Sequence, residues 1–307
     1  MLKVASFLAL ALVLSGCAAE LVLEKDGALT AIPRKTDASG HLIVDTLVNG
    51  QGPFRFAVDT GASISVIYGH VATELDVEPR PGERVTLHGM TALGTFPTAI
   101  VRSIRVGEED WDSARVAILP DTVPVASQFD GILGLDFLGR YAVSYAHADE
   151  MLRLYPQEVV SERAYHGWSA IPLFKMRVGP GDIGVFAFEI FIAGERIPTI
   201  FDLGTDSNLM NRRAARAIGV RPPKPGTTNR VGGAFGSTIE ATELIVWKLQ
   251  IAERSWRRIS FLIADFPVFV TLDLNRRPTA IAGTSLFKRH DFVIDFAGER
   301  LLLRDRE

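Results

Sequence analysis

The chain contains the same short corner twice, and this repeat constrains the fold more than any other feature. The first copy is FAVDTGASISVI at residues 56–67, and the second is TIFDLGTDSNLM at residues 199–210. Each copy places an aspartate between apolar segments, where a carboxylate loses hydration at a cost of several kcal/mol unless partners compensate. A single corner of this kind would be interpreted as a β-turn whose aspartate bonds its own backbone. Two copies favour a functional pair, Asp59 and Asp202.

The sequence around the two corners also repeats at nearly constant spacing. Asp202 follows Asp59 by 143 positions, and Trp256 follows Trp111 by 145. The segment ILG at residues 132–134 returns as IAG at residues 281–283, an offset of 149. Two copies are too few for a solenoid, so we interpret the repeat as a duplicated domain. The equivalent tryptophans are expected to pack in the two cores.

Length and composition agree with a folded chain of two domains. The 307 residues fit two domains of ordinary size. Apolar residues make up 47% and charged residues 22%, which is typical of packed globular proteins. The net charge of −3 gives no electrostatic reason to expect a nucleic acid partner.

The single cysteine, Cys17, follows a basic start and an apolar run. Residues 4–14 are apolar, too short a run to span a bilayer but typical of a secretory signal. The ending LSGC at residues 14–17 resembles the bacterial lipobox, in which the cysteine is lipidated and becomes the mature N-terminus. We therefore expect a lipid-anchored protein of the bacterial cell envelope that faces the periplasm, on the outer rather than the inner membrane because Ala18 follows the cysteine. A plain signal peptide cut nearby is the alternative.

The rest of the chain divides into two β-rich segments. We predict a signal peptide at 1–17, a tether at 18–40, a first lobe at 41–156, a linker at 157–170 and a second lobe at 171–305. Many short strands separated by turn residues indicate an all-β protein. Short helices are expected at residues 69–75 and 211–218, the second capped by Asn208 or Asn211 and ended by Gly219.

The first copy carries a specific family motif. It contains VDTGAS at residues 58–63 and DGILG at residues 130–134. This pair of motifs resembles the retropepsin-like aspartic proteases, and the tandem arrangement resembles the bilobal, pepsin-like ones. The resemblance covers residues 41–303. It implies an all-β fold in which one chain forms two similar retropepsin-like β-barrel lobes.

The resemblance implies that Asp59 and Asp202 are a catalytic pair. Two carboxyl groups about 3 Å apart cannot both be ionised, so they share one proton. Aspartic proteases are the usual example of such a pair. The ionised member acts as general base on a water, and the protonated member polarises the scissile carbonyl. This chemistry implies an endopeptidase acting on a peptide or protein substrate, with no cofactor and no metal. A monomer is expected.

The same resemblance assigns supporting roles to the two loops and two hairpins. Residues that would support the active loops are Thr60, Gly61, Ala62, Ser63, Leu203, Gly204 and Thr205. Residues that would form the flap over the substrate are His88, Gly89 and Met90, with Gly232 and Gly233 at the corresponding place in the second copy. Gly134 and Gly283 would let the segments behind the active loops approach closely.

The second loop departs from the family pattern at Leu203, where the family has a threonine or serine. That hydroxyl ties one active loop to the other, which Thr60 can do and Leu203 cannot. We expect the Thr205 hydroxyl to bond the outer oxygen of Asp202 instead. Two alternatives to an endopeptidase remain. One is a catalytically weak or inactive lipoprotein with a binding or regulatory role, and the other is a protease active only when first lobes of two chains pair.

Overall fold

The computed structural model describes residues 28–36, 40–121, 129–146, 150–157, 168–179, 183–221, 229–233 and 237–305. The predicted signal peptide with Cys17, and residues 18–27 of the predicted tether, lie outside the described residues. The described residues are 58% strand and 11% helix, and their strands form one sheet of 13 strands and one of 8. The prediction of an all-β chain with two lobes is therefore confirmed.

The described residues of the first lobe form short strands joined by tight turns. The strands are β1 (Thr30–Thr36), β2 (Leu42–Val48), β3 (Gln51–Val58), β4 (Val66–Tyr68), β5 (Arg84–His88), β6 (Leu93–Val106), β7 (Glu109–Leu119), β8 (Gly131–Leu133), β9 (Tyr141–Ala146) and β10 (Met151–Pro156). The helices are α1 (Gly69–Glu74) and α2 (Leu135–Leu138).

The second lobe repeats this organisation. Its strands are β11 (Ser169–Pro172), β12 (Phe174–Val178), β13 (Ile183–Ile192), β14 (Glu195–Phe201), β15 (Leu209–Met210), β16 (Asn229–Gly232), β17 (Thr238–Ile251), β18 (Arg254–Ile263), β19 (Ala280–Ala282), β20 (His290–Asp295) and β21 (Arg300–Asp305). Its helices are α3 (Arg212–Ala217), α4 (Pro267–Thr271) and α5 (Thr284–Phe287).

Both predicted helices are present, and one has the expected cap. Asn211 precedes α3, and its side-chain oxygen accepts a hydrogen bond from the Ala214 amide at 2.8 Å. This bond satisfies one of the amides that have no partner inside the helix. Gly219 follows the helix with a φ of +79°, a conformation that glycine adopts without strain.

The same strand pairing surrounds both aspartate corners. In the first lobe, β8 pairs in parallel with β3, which precedes the corner, and antiparallel with β4, which follows it. In the second lobe, β19 pairs in parallel with β14 and antiparallel with β15. The repeated sequence therefore forms a repeated topology, with each corner held between strands of one sheet.

A sheet built from both lobes joins the two halves of the chain. Its strands follow the order β11-β21-β20-β9-β10-β1. Strands β9 and β20 form the junction, where Tyr145 lies opposite Phe292 and the two rings stack with centroids 4.8 Å apart. Backbone pairing and aromatic packing thus hold the lobes together on the side away from the corners.

Two of the predicted boundaries differ from the structure. Residues 18–40 were expected to be a tether, but Thr30–Thr36 forms β1, which pairs with β10 on one side and β2 on the other. The alternating burial of β1 explains the difference, because one face of the strand turns inward and Ile32 on that face joins the main core. The predicted linker at 157–170 lies largely outside the described residues, and its end, from Ser169, already pairs with β21.

The main core extends through both lobes. Phe188, Phe201, Phe287 and Phe292 form a continuous set of ring contacts in the second lobe. Trp256 is buried in this core, so its predicted packing role is confirmed. Trp111 is partly buried and packs against the same core, which confirms the prediction for both repeat positions. In the described part of the chain, no helix is long and apolar enough to cross a membrane.

Candidate active site

Each aspartate stands at the end of a buried strand, where the chain turns away from the sheet. Strand β3 ends at Val58, and the Asp59 amide donates a 3.0 Å hydrogen bond to the Leu133 carbonyl. In the second lobe the Asp202 amide donates to the Ala282 carbonyl, also at 3.0 Å. These bonds continue the parallel pairing by one residue and fix both aspartates in equivalent positions.

The structure brings the two carboxyl groups together at the lobe interface. Asp59 and Asp202 hydrogen-bond to each other through their side chains. Each also faces the glycine of the opposite corner: a Cβ atom at Gly61 would lie 2.7 Å from Asp202 Cγ, and one at Gly204 would overlap the Asp59 carboxyl. Both glycines are therefore required because no larger residue leaves room for the facing carboxylate.

The environment of the pair favours the retention of a proton. Burial raises the pKa of Asp59 above its ordinary value, against the opposing effect of hydrogen bonds from the Gly61 and Ala62 amides. Burial raises the pKa of Asp202 well above its ordinary value, and repulsion from Asp59 adds to the shift. Because the titrations of two such close groups belong to the pair, the arrangement favours one shared proton.

Backbone amides orient the carboxylates within each loop. Asp59 Oδ1 accepts hydrogen bonds from the Gly61 amide at 2.7 Å and the Ala62 amide at 3.0 Å. Asp202 Oδ1 accepts one from the Gly204 amide at 2.8 Å. These bonds orient the carboxylates toward each other without using a charged side chain.

Thr205 does not make the contact expected of it. Its hydroxyl was predicted to bond the outer oxygen of Asp202, but Thr205 Oγ1 accepts a hydrogen bond from the Ser207 amide at 3.2 Å. A hydroxyl that bonds the backbone two residues ahead forms a local turn, and this turn competes with the contact to the aspartate. Thr205 therefore shapes its own loop.

Thr60 ties the two active loops together across the interface. Its hydroxyl donates to the Phe201 carbonyl at 3.0 Å and accepts from the Leu203 amide at 2.9 Å. Leu203 occupies the equivalent position in the second loop and is fully buried within the main core. The cross-lobe hydrogen bonds expected of Thr60 are present. At the equivalent position of the second loop, Leu203 makes apolar contacts instead of hydrogen bonds.

The polar side chains that support each loop from behind were not predicted. In the first lobe, Ser65 Oγ accepts from the Gly134 amide at 3.0 Å and donates to Asp136 Oδ1 at 2.7 Å. In the second lobe, Asn208 Oδ1 accepts from the Gly283 amide at 3.1 Å. The signal was present in the sequence, since Ser65 and Asn208 are also 143 positions apart.

Gly134 and Gly283 approach the loops as closely as expected. A Cβ atom at Gly134 would lie 2.9 Å from the Ala62 carbonyl oxygen, and one at Gly283 would lie 2.6 Å from the Thr205 carbonyl oxygen. Real Cβ atoms do not come so near backbone oxygens, so a side chain at either position would push the active loop out of place.

Two hairpins close over the cleft from opposite lobes. The first consists of β5 and β6, in which His88 lies opposite Leu93, so that Gly89 and Met90 form its tip. The second consists of β16 and β17 and contains Gly232 and Gly233. The hairpins touch where the Ser237 hydroxyl donates to Thr91 Oγ1 at 2.7 Å. The predicted flap residues thus lie above the pair of aspartates.

The cleft beneath the hairpins has a volume of about 880 Å³ and contains both aspartates. Its lining also includes Ser63 and Thr205, together with all five predicted flap residues. Its walls are largely apolar. The apolar residues include, from the first lobe, Ala57, Leu119, Phe129 and Ile132, and, from the second, Val185, Ile200, Leu262 and Ile281. This volume is in the range that holds a small ligand or several residues of a peptide.

The described residues contain no group of three or more histidine, cysteine, aspartate or glutamate side chains that could hold a metal ion. The groups that act at the centre of the cleft floor include the two carboxyls and the amides that orient them. This set can bind a water between the carboxyls, accept a proton from it and donate a proton to a carbonyl oxygen.

Comparison with known proteins agrees with this geometry for the first lobe. No curated protein is significantly similar to the chain. A family model described as aspartyl protease matches residues 44–137, from within β2 to within α2. The matched segment contains Asp59, Thr60, Gly61 and Gly134, so this part of the chain is similar to the aspartyl protease family.

Proposed function

We propose that this protein is an aspartic endopeptidase that hydrolyses peptide bonds with a water activated between Asp59 and Asp202. The observation that carries the proposal is the hydrogen bond between these two side chains at the floor of an apolar cleft. The match to the aspartyl protease family supports the general activity.

In the proposed reaction the two carboxyl groups divide acid and base catalysis. Ionised Asp59 removes a proton from the water while protonated Asp202 donates a proton to the carbonyl oxygen of the scissile bond. The resulting tetrahedral intermediate collapses when Asp59 passes the proton that it took from water to the leaving amine, while Asp202 takes its proton back from the former carbonyl oxygen. No covalent bond to the protein forms, because water is the nucleophile. General acid–base catalysis of this kind contributes about 10²–10⁴-fold to a rate.

An inactive binding or regulatory protein is the second candidate function, and one observation favours it. Leu203 gives the second loop no hydroxyl to bind the first loop, so the hydroxyl bonds between the two loops come from Thr60 and have no counterpart from residue 203. Against this candidate, Gly61 and Gly204 both keep the space that the facing carboxylates need. A protein that only binds peptides has no use for that space.

The shared sheet supports a pair formed within one chain. Strands β9 and β20 join the lobes by a continuous backbone ladder. Pairing of first lobes between two chains would require this ladder to open and the Thr60 bonds to Phe201 and Leu203 to break. We therefore propose that a single chain holds the complete site.

Peptide cleavage by the purified protein distinguishes the two candidate functions. We expect hydrolysis of peptides with apolar residues beside the scissile bond, and inhibition by a peptide analogue that carries a hydroxymethylene group in place of the scissile carbonyl. Such an analogue resembles the tetrahedral intermediate and should bind far more tightly than the matching substrate. Tight binding of substrate peptides without cleavage between pH 3 and 7 would favour the binding protein.

We also propose that the protein is attached to the bacterial cell envelope by a lipid on Cys17 and faces the periplasm, on the outer membrane. The motif LSGC at residues 14–17 supports this location. Cys17→Ala should leave an unprocessed precursor or a soluble form. Equal fractionation of wild-type and variant proteins, with lipid on neither, would contradict the anchor.

A further inference from the structure

His41 is an ionisable side chain that lines the same cleft as Asp59. Strands β2 and β3 are antiparallel, with Ile43 opposite Ala57. Extending this register by two residues places His41 opposite Asp59. Residues directly opposite each other in an antiparallel pair have Cβ atoms about 4.5–5.5 Å apart and interact directly.

The second lobe has an apolar residue at the equivalent place. Strands β13 and β14 are also antiparallel, with Ala187 opposite Ile200. The same two-residue extension places Val185 opposite Asp202. Val185 is buried and lines the cleft, as His41 does. The two aspartates thus have equivalent backbone positions but different partners across the strand: one ionisable and one apolar.

Packing holds the His41 ring in place. Phe129 is buried and meets the ring edge-on, with centroids 5.3 Å apart and planes 80° apart. The preceding residue, Gly40, accepts a hydrogen bond from the Thr284 hydroxyl of the second lobe at 3.4 Å. The backbone before His41 is therefore fixed to the second lobe and its ring to the first.

The charged groups nearest this end of β2 are mostly acidic. Asp59 lies across the strand pair, Asp202 lies beyond it, and a Cβ atom at Gly40 would lie 3.5 Å from Asp206 Cβ. A second groove, which Gly40 also lines, contains the charged side chains of Arg34, Glu150, Asp206 and Lys288. A positive charge on His41 attracts the Asp59 carboxylate and so opposes the rise in the pKa of Asp59 that burial causes.

We propose that His41 is a positioning residue for the proposed peptidase reaction, whose imidazolium keeps Asp59 as the ionised member of the pair. The inference rests on the proposed function, in which Asp59 is the base. Its basis is the difference between His41 and Val185 at equivalent positions opposite the two aspartates. Asp202, facing an apolar side chain, keeps the shared proton and acts as the acid.

Two readouts on the full chain test this role. The first is a ¹³C NMR titration of the aspartate carboxyls, with the two signals of the pair identified by their loss in Asp59→Asn and Asp202→Asn. The second is the pH profile of peptide cleavage. The cation stabilises the ionised carboxylate, so its removal in His41→Gln should raise the pKa of Asp59 by on the order of one pH unit. The acid limb of the cleavage profile should move upward equally, through kcat rather than KM.

Two variants serve as controls. His41→Arg keeps a cation and should keep the acid limb where it is in the wild type. His88→Gln makes the same neutral change at another histidine of the cleft and should not move the Asp59 titration. His41→Asn replaces the glutamine variant if that variant does not fold.

The outcomes separate this inference from the proposed function. An unchanged Asp59 titration in a folded, neutral His41 variant would overturn the inference, even with full cleavage activity. An upward shift supports it. A shift in a protein that cleaves no peptide would overturn the proposed function and still support the pairing of His41 with Asp59.

Discussion

The Thr60 hydroxyl and the Leu203 amide lie 2.9 Å apart across the lobe interface, and the same hydroxyl donates to the Phe201 carbonyl. One buried side chain therefore satisfies a donor and an acceptor of the opposite active loop. Its counterpart, Leu203, contributes apolar packing instead. The two lobes repeat each other in topology but stabilise their shared site by different interactions.

Thr60→Val should destabilise the protein and weaken activity. Thr60 is buried, so the variant leaves the Phe201 carbonyl and the Leu203 amide without this partner. A buried polar group left unpaired costs about 1–3 kcal/mol. Chemical denaturation measures the loss. Thr60→Ser keeps the hydroxyl and is the matched control. Equal stability of the valine and serine variants would show that the cross-lobe bonds contribute little.

Leu203→Thr, which introduces the residue expected in the family, should also destabilise the protein. Leu203 is fully buried in the main apolar core, so the threonine loses apolar contacts and places a hydroxyl in an apolar setting. We expect the free energy of unfolding to fall by about 1–3 kcal/mol. Leu203→Met, which conserves volume, should cost less. A stable threonine variant with clearly higher turnover would contradict this account of the interface.

Gly61→Ala should displace the Asp59 and Asp202 carboxyls from their paired positions. The new Cβ atom would lie 2.7 Å from Asp202 Cγ, closer than packing allows, so the lobes or the carboxylate must move. Peptide cleavage should be lost or reduced by about 10²-fold or more, since misplacement of about 1 Å can cost that much. Gly184→Ala is the control, because Gly184 has open space where the Cβ would go. Equal activity of both alanine variants would be inconsistent with the observed contact.

The stability of the wild type should depend on pH through the pair. Burial raises the pKa of Asp202 above 3.8, its ordinary value, so the native state binds a proton more tightly than the unfolded chain. The tighter binding of this proton stabilises the native state fully below about pH 4. The stabilisation is lost as the pH rises through the raised pKa of Asp202. Asp202→Asn removes the titration, so its stability should decline less between pH 4 and 7.

Denaturation at a series of pH values checks this prediction. Asp110→Asn provides a contrast, because hydrogen bonding to Arg105 lowers the pKa of exposed Asp110 and any effect has the opposite sign. If the free energy of unfolding changed with pH in the same way for the wild type and Asp202→Asn, the pKa of Asp202 would not be raised as described.

Much of the site is predictable from sequence because its parts are local. The aspartate corners, the glycines beside them, the flap hairpin and the capped helix α3 each depend on residues close together in the chain. The repeat then supplies the long-range pairing of Asp59 with Asp202, since equivalent positions occupy equivalent places in the two lobes.

The remaining features depend on partners far away in sequence. Strand β1 was taken for a tether because its pairing with β10 joins residues more than 100 positions apart. The junction of Tyr145 and Phe292 has no local signal either. The Thr205 contact differs from the expectation because the Ser207 amide, two residues away, donates to its hydroxyl oxygen. No motif near His41 marks it as part of the site. Its relation to Asp59 becomes clear only when the pairing register of β2 and β3 is known.

The most direct test of the central claim is the rate of peptide cleavage at acidic pH by Asp59→Asn and Asp202→Asn, each compared with the wild type. A pair formed within one chain requires both carboxyls. Both variants should therefore remain folded and lose about 10²–10⁴-fold or more in kcat. Full activity of Asp202→Asn, with loss of activity in Asp59→Asn, would contradict the account and favour pairing of first lobes between chains.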